Sequence, residues 1–198
     1  MTQSNIRSIQ DAVSPMRIIE DLLPYTDLLK KRDPTVIDII VFHCTELPTL
    51  AEAREAALKV LRNQIGNSGH YYIDKDGQIY RYVEDDHVAH HVIGHNETSL
   101  GIELVNTGRY PNWFSVKNQI PEDKYTEAQI LSAIELMSFL KNRYPNITKI
   151  MRHSDLDTRL VPADDDPDIE VKRRIDPGPL FPWNDILREW ENITRSQT

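Results

Sequence analysis

The sequence predicts an α/β fold: a single domain with a mixed central β-sheet flanked by helices. Three observations carry that reading. "TVIDIIVFH" (35–43) is a β-branched run of the kind that forms a buried strand. Two segments open with a capping box, Thr49 with Glu52 and Thr126 with Gln129, and continue at helical spacing. Asp76-Gly77 separates two short β-rich runs, a strong hairpin signal. Read in order, the chain gives strand, helix, hairpin, strand, helix, strand, which is an α/β succession.

Taken from the start, residues 1–34 mix short apolar runs with Pro15, Pro24 and Pro34 and read as an N-terminal extension with room for one short helix. The domain proper is set at 35–193, with 194–198 as a tail. After the first strand, "TLAEAREAALKVLRNQI" places Leu50, Ala53, Ala57, Val60, Leu61 and Ile65 along one helical face. The hairpin "HYYIDKDGQIYRYV" and the strand "SLGIELVN" follow. In the second helix, "TEAQILSAIELMSFLKNRY", the expected face is Ile130, Ile134, Met137 and Tyr144. "ITKIMRH" reads as a strand, "SDLDTRLVPADDDPDIEVKRR" as a long polar segment, and "WNDILREWEN" as a closing helix. The "ADDDP" cluster lacks the alternating ligand spacing of a calcium loop.

Composition limits the function. Hydrophobic residues make up 39% and charged ones 27% of 198 residues, a globular balance. No run of about 18 apolar residues is present, so no membrane span is expected. The N-terminal stretch lacks the basic start and unbroken apolar core of a secretory leader, so the cytoplasm is expected, with a secreted or periplasmic location the alternative if a leader precedes this sequence. A net charge of −8 argues against a nucleic-acid partner. Cys44 is the only cysteine, so a metal would need histidine and carboxylate ligands. Nothing in the sequence sets an oligomeric state.

Two histidines end β-rich runs: His43 closes "DIIVFH" and His153 closes "KIMRH". Side chains at the ends of neighbouring strands can converge on one point. Asp176 lies on a proline-rich turn in "RRIDPGPLFPW", and with the two histidines it would make an open zinc site of the hydrolytic kind. Against this stands a plainer alternative, that each histidine is a polar strand-end residue and the aspartate caps a turn; ligands so far apart leave no local signature. Three rival arrangements fit less well. "HVAHHVIGH", holding His87, His90, His91 and His95, reads as a loop over a cleft because its valines, Ile93 and Gly94 disfavour a helix. An iron triad built on His153 and Asp155 lacks the further histidine it needs. His43 and Cys44, adjacent on a strand, point to opposite faces and cannot pair.

Five motifs, "VIDIIVFHCTE", "GHYYIDKDGQIYRYVEDDHVAHHV", "SLGIELVN", "MRHSDLDT" and "RRIDPGPLFPW", occur in an order that resembles the zinc-dependent N-acetylmuramoyl-L-alanine amidases of the amidase-2 class. The resemblance covers roughly residues 35–190, is strongest to the AmpD-like and AmiD-like branch, and extends to peptidoglycan recognition proteins and T7-type lysozyme. It implies that fold family and one Zn2+ per chain held by His43, His153 and Asp176. It also implies hydrolysis of the amide between N-acetylmuramic acid and L-alanine, with peptidoglycan or a muropeptide as substrate. Glu103 in "GIELVN" matches the catalytic carboxylate of this branch. Phage-type and animal relatives place a tyrosine just before the histidine matching His70, where this sequence has Gly69. The branch has a lysine two residues before the aspartate ligand; here that position is Arg174, which can stabilise an oxyanion but cannot shuttle a proton, unless Lys172 takes its place. His91 matches a cleft-lining, substrate-binding position. Asn106, Trp113 and Arg159 are unranked candidates for substrate contact. The expected role is muropeptide recycling. The alternatives are a lytic hydrolase acting on intact wall and a non-catalytic binding module, the last disfavoured because all three ligand candidates are present.

Overall fold

The computed structural model describes residues 16–59 and 64–196. Within them lie the strands β1 (Ile18–Glu20), β2 (Ile39–Cys44), β3 (Tyr71–Ile73), β4 (Ile79–Arg81), β5 (Ser99–Leu104), β6 (Lys149–Arg152), β7 (Leu160–Pro162) and β8 (Glu170–Lys172), and the helices α1 (Leu50–Leu58), α2 (Glu127–Arg143), α3 (His153–Leu156) and α4 (Trp183–Arg195). The first six strands form one sheet in the order β1-β4-β3-β5-β2-β6, and β7 and β8 form a separate hairpin. Within the large sheet only β3 and β4 run antiparallel; the other neighbours are parallel. The mixed sheet with flanking helices is the expected fold class.

Alternation along the strands sorts side chains to two faces. Ile40 and Phe42 of β2, Leu100, Ile102 and Leu104 of β5, and Tyr71 and Ile73 of β3 join Ala133, Leu136, Met137 and Leu140 of α2 and Ile186 and Trp190 of α4 in the main core. The residues between them face the other way: Tyr72 packs with Ala53 and Ala57 of α1, and Ile39 and Val41 pack with Val92. On this second face the strands change from apolar to polar as they reach His43 and Glu103. No helix among the described residues is long and apolar enough to cross a membrane.

Several local expectations shift. α1 stops at Leu58, and Ile65 lies outside it, because the hydroxyl of the buried Tyr25 donates to the Ala57 carbonyl (2.9 Å) and Lys59 turns extended. Val60 and Leu61 fall outside the described residues. At its start Thr49 accepts from the Glu52 N–H, while the Glu52 carboxylate accepts from the Thr49 hydroxyl, so only half of the box forms. Around Thr126 and Gln129 both halves form. The buried stripe of α2 centres on Ala133, Leu136, Met137 and Leu140, with Ile130 and Ile134 at its margin, because the helix packs against α4 as well as the sheet. The polar segment after β6 contains the β7–β8 hairpin; of its six strand residues only Val171 is buried, so it carries no apolar period to read. In the extension, residues 18–20 pair with β4 at the sheet edge and Thr26–Leu28 form a 3-10 turn, while residues 1–15, where the expected short helix could also fall, lie outside the described residues. The hairpin loop forms around Asp76-Gly77, where Gly77 has φ +88.

Candidate active site

Strand register brings the polar residues together. β2 pairs with β5 so that His43 lies opposite Glu103, and β5 pairs with β3 so that Glu103 lies opposite Tyr72. On the other side β6 is matched to β2 through Phe42 and Arg152. His153 therefore arrives level with His43, at the first position of α3 rather than on the strand. Asp176 approaches from the turn after β8, where its carbonyl accepts the Ser154 N–H (3.0 Å) and Gly178, at φ +87, supplies the left-handed residue of the turn.

All three side chains are buried, and their heteroatoms meet. His43 Nδ1 lies 3.0 Å from His153 Nδ1 and 3.1 Å from Asp176 Oδ2, and His153 Nδ1 lies 2.9 Å from the same oxygen. Glu103 Oε1 is 3.9 Å from His43 Nδ1. These groups line a cleft of about 550 Å³ that also takes in Arg173, Arg174, Trp113 and His91.

The profile of the N-acetylmuramoyl-L-alanine amidase family matches residues 32–179, three quarters of the chain. The chain belongs to that family. A Haemophilus influenzae protein described as 1,6-anhydro-N-acetylmuramyl-L-alanine amidase AmpD is 30% identical over 134 residues, covering 63% of this chain and 59% of that protein. The match thus spans under two thirds of that relative's length. Among solved structures, the endolysin amidase LysCS of Clostridium intestinale aligns at 26% identity with a TM-score of 0.55, covering 90% of this chain and 99% of the other. AmiD of E. coli, solved with anhydro-N-acetylmuramic acid-L-Ala-D-γ-Glu-L-Lys, aligns at 23% identity with a TM-score of 0.60, covering 78% and 58%, and supports the shared fold.

In this amidase-family chain the donor set fits a metal cation. Three heteroatoms in mutual contact cannot all be paired by hydrogen bonds, since a neutral imidazole brings a single N–H and a carboxylate brings none. Ligand atoms of a tetrahedral zinc site lie about 3.3 Å apart for bonds of about 2.0–2.1 Å, close to the separations found here. The other carboxylate oxygen, Asp176 Oδ1, is buried without a hydrogen-bond partner. Burial pushes the His43 ring down to about 4, against the pull of Asp176. Burial acts to raise the Asp176 carboxyl, but the hydrogen bond with His153 and the close approach of the His43 ring outweigh that and hold it well below the usual carboxylate range. Glu103 is pushed up to about 8, first by burial and then by the Asp176 charge, with Arg174 opposing.

Arg174 lines the cleft and its buried Nε has no hydrogen-bond partner; Lys172 is exposed and does not line it. His91 lies against His43, with both ring nitrogens in hydrogen bonds to protein atoms, and its segment is a loop, as expected from its composition. Trp113 lines the cleft while its indole N–H donates to the Glu46 carbonyl. Asn106 is buried and holds local backbone, and Arg159 is tied to Asp157. Sequence reasoning missed Arg109 and Glu46. Arg109 is fully buried, donates from Nε and Nη2 to the Glu46 carboxylate (2.7 and 3.0 Å), and also donates to the carbonyls of Lys172 and Arg173 (2.8 and 3.2 Å). It fastens the segment that leads into Arg174 and Asp176. No local pattern marks such a residue, because its partners lie 63 and 64 positions away in sequence.

Proposed function

We propose that this chain is a zinc-dependent N-acetylmuramoyl-L-alanine amidase acting on muropeptides of cell-wall recycling. The supporting observation is the convergence of His43, His153 and Asp176 beside Glu103 at the base of one cleft. The names of similar proteins agree with it: the Haemophilus relative is named for the 1,6-anhydro-muramyl amide, and AmiD was solved with an anhydro-muramyl tripeptide.

His43, His153 and Asp176 would hold one ion, three protein ligands being the count found in hydrolytic zinc sites. When bound, zinc supplies a Lewis acid that polarises the scissile carbonyl and makes water nucleophilic near neutral pH. Glu103 is pushed up to about 8 in the metal-free protein; a bound dication would favour its ionised form, which takes the proton of the attacking water and returns it to the departing amine of L-alanine. Arg174 keeps its proton, and from the wall of the cleft its guanidinium charge stabilises the amide oxygen as negative charge builds there. Proton transfer therefore falls to Glu103.

The test is mass spectrometry of anhydro-muramyl tripeptide and of intact peptidoglycan, incubated with the protein as purified, after chelation, and after zinc add-back. Release of a peptide starting with L-alanine, lost on chelation and restored by zinc, is the expected result. Faster release from the intact wall would reassign the role to lysis. Binding without cleavage under every metal condition would overturn the enzyme reading.

A further inference from the structure

The protons between β5 and His43 can be assigned by counting. The Ser99 hydroxyl has one proton and donates it to the His95 carbonyl at 2.7 Å, which can only accept. At its 3.0 Å contact with His91 Nε2, Ser99 Oγ is therefore the acceptor and His91 Nε2 carries the hydrogen. A neutral imidazole has one N–H, so His91 Nδ1 presents a lone pair and accepts from His43 Nε2 at 2.9 Å. His43 is left with a bare Nδ1. That nitrogen is the one facing His153 Nδ1 and Asp176 Oδ2.

The geometry points to Ser99 and His91 as positioning residues that fix the tautomer of His43, so that its Nδ1 lone pair faces the metal position; His91 then serves a ligand rather than the substrate. The inference rests on the reading of His43, His153 and Asp176 as metal ligands.

Other features hold the relay in place. Ser99, Gly101 and Glu103 alternate onto the same face of β5. A Cβ at Gly101 would lie 2.7 Å from His91 Nδ1, so only glycine lets the ring lie against the strand in this position. The Asn96 side-chain oxygen accepts the N–H groups of His91 (3.1 Å) and Val92 (2.7 Å), pinning the loop that carries the ring. A bare Nδ1 held 3.1 Å from a carboxylate oxygen is unfavourable in the absence of a cation, and a bound cation turns both into ligands. Outer partners of this kind orient a ligating histidine and raise its basicity.

Two measurements test the relay. The first is long-range 1H–15N NMR on protein labelled at histidine, metal-free and zinc-loaded, with the His43 signals assigned by their loss in His43→Ala. The expected result is a proton on Nε2 in both states; a proton on His43 Nδ1 in the metal-free protein would overturn the relay. This arm reads the relay even if the protein fails to bind zinc, which would instead sink the proposed function. The second is zinc affinity by competition with a chromophoric chelator. His91→Ala should weaken zinc by about 10–100-fold. His91→Asn, whose amide oxygen can accept from His43 Nε2, should recover most of it, and Ser99→Ala should shift it in the same direction as His91→Ala. Zinc-saturated His91→Asn should keep the wild-type KM for the muramyl tripeptide. A raised KM at unchanged zinc affinity would mark His91 as a substrate contact and overturn the proposal.

Discussion

Glu103, partly buried, and Asp176, buried, are two carboxylates in one cleft whose surroundings act on them in opposite directions. Asp176, hydrogen-bonded by His153 and set 3.1 Å from the His43 ring, is held ionised, whereas Glu103, with no such partner, is pushed up to about 8 in the metal-free protein. Asp176→Ala removes the charge that the ligand triangle needs, so it should lose zinc by more than the about 10–100-fold that loss of an outer partner costs. Metal analysis after dialysis reads this, and a variant that retains one zinc per chain would take Asp176 out of the site. Glu103→Gln should keep zinc and lose turnover by about 10²–10⁴-fold, the usual contribution of a general base. A pH signature accompanies it in the chelated protein. The carboxyl titrates near 4.5 in the unfolded chain and at about 8 when folded, so its contribution to stability is fully present below about 4.5 and is lost as pH rises through about 8. Denaturant midpoints of chelated protein should fall over that window, and Glu103→Gln should flatten the fall. The residue types of the site are legible in the sequence: two strand-end histidines, a turn aspartate and a glutamate between apolar strand neighbours. The engagement of both His91 nitrogens is not, because it depends on where a loop packs.

Among the elements, the site depends on how the segment from β8 to Asp176 is anchored. Arg109 and Glu46 form a buried ion pair from two loops that follow the central strands β5 and β2, and the same guanidinium holds the carbonyls of Lys172 and Arg173. Arg109→Met should destabilise the fold by about 3–5 kcal/mol, since it strands a buried carboxylate. Adding Glu46→Met should restore most of that, because two apolar side chains leave no unpaired charge; urea midpoints of the single and double variants decide it. If the double variant is as unstable as the single, the carbonyl contacts rather than the ion pair hold the segment. Helix α2 and the β3–β4 hairpin were readable because their signals are local: a cap three residues from its partner, and a glycine where the turn requires positive φ. The β7–β8 hairpin and the early end of α1 were not. The first buries too little to leave a pattern, and the second is set by a tyrosine from another part of the chain.

For the molecule as a whole, metal binding and folding should be coupled. The proposed ligands come from β2, the first residue of α3 and the turn after β8, so the unfolded chain offers no assembled site. Zinc at 100 times its dissociation constant should add about 2.7 kcal/mol to stability. At roughly 2–4 °C per kcal/mol for a chain of this size, the melting temperature should rise by several degrees on zinc addition and fall on chelation. An unchanged melting curve would mean that the folded protein holds no such ion. The sequence alone determined the α/β class, the two capped helices, the hairpin and the residue types able to carry hydrolytic metal chemistry, because each is written in spacings of two to four residues or in side-chain chemistry itself. Only the tertiary structure could show that His43 and Glu103 share a rung of the sheet, that His153 arrives level with them, and that Arg109 and His91 brace the cleft. Those facts depend on strand register and on contacts across 48 to 133 positions, and no local pattern encodes a distance through space.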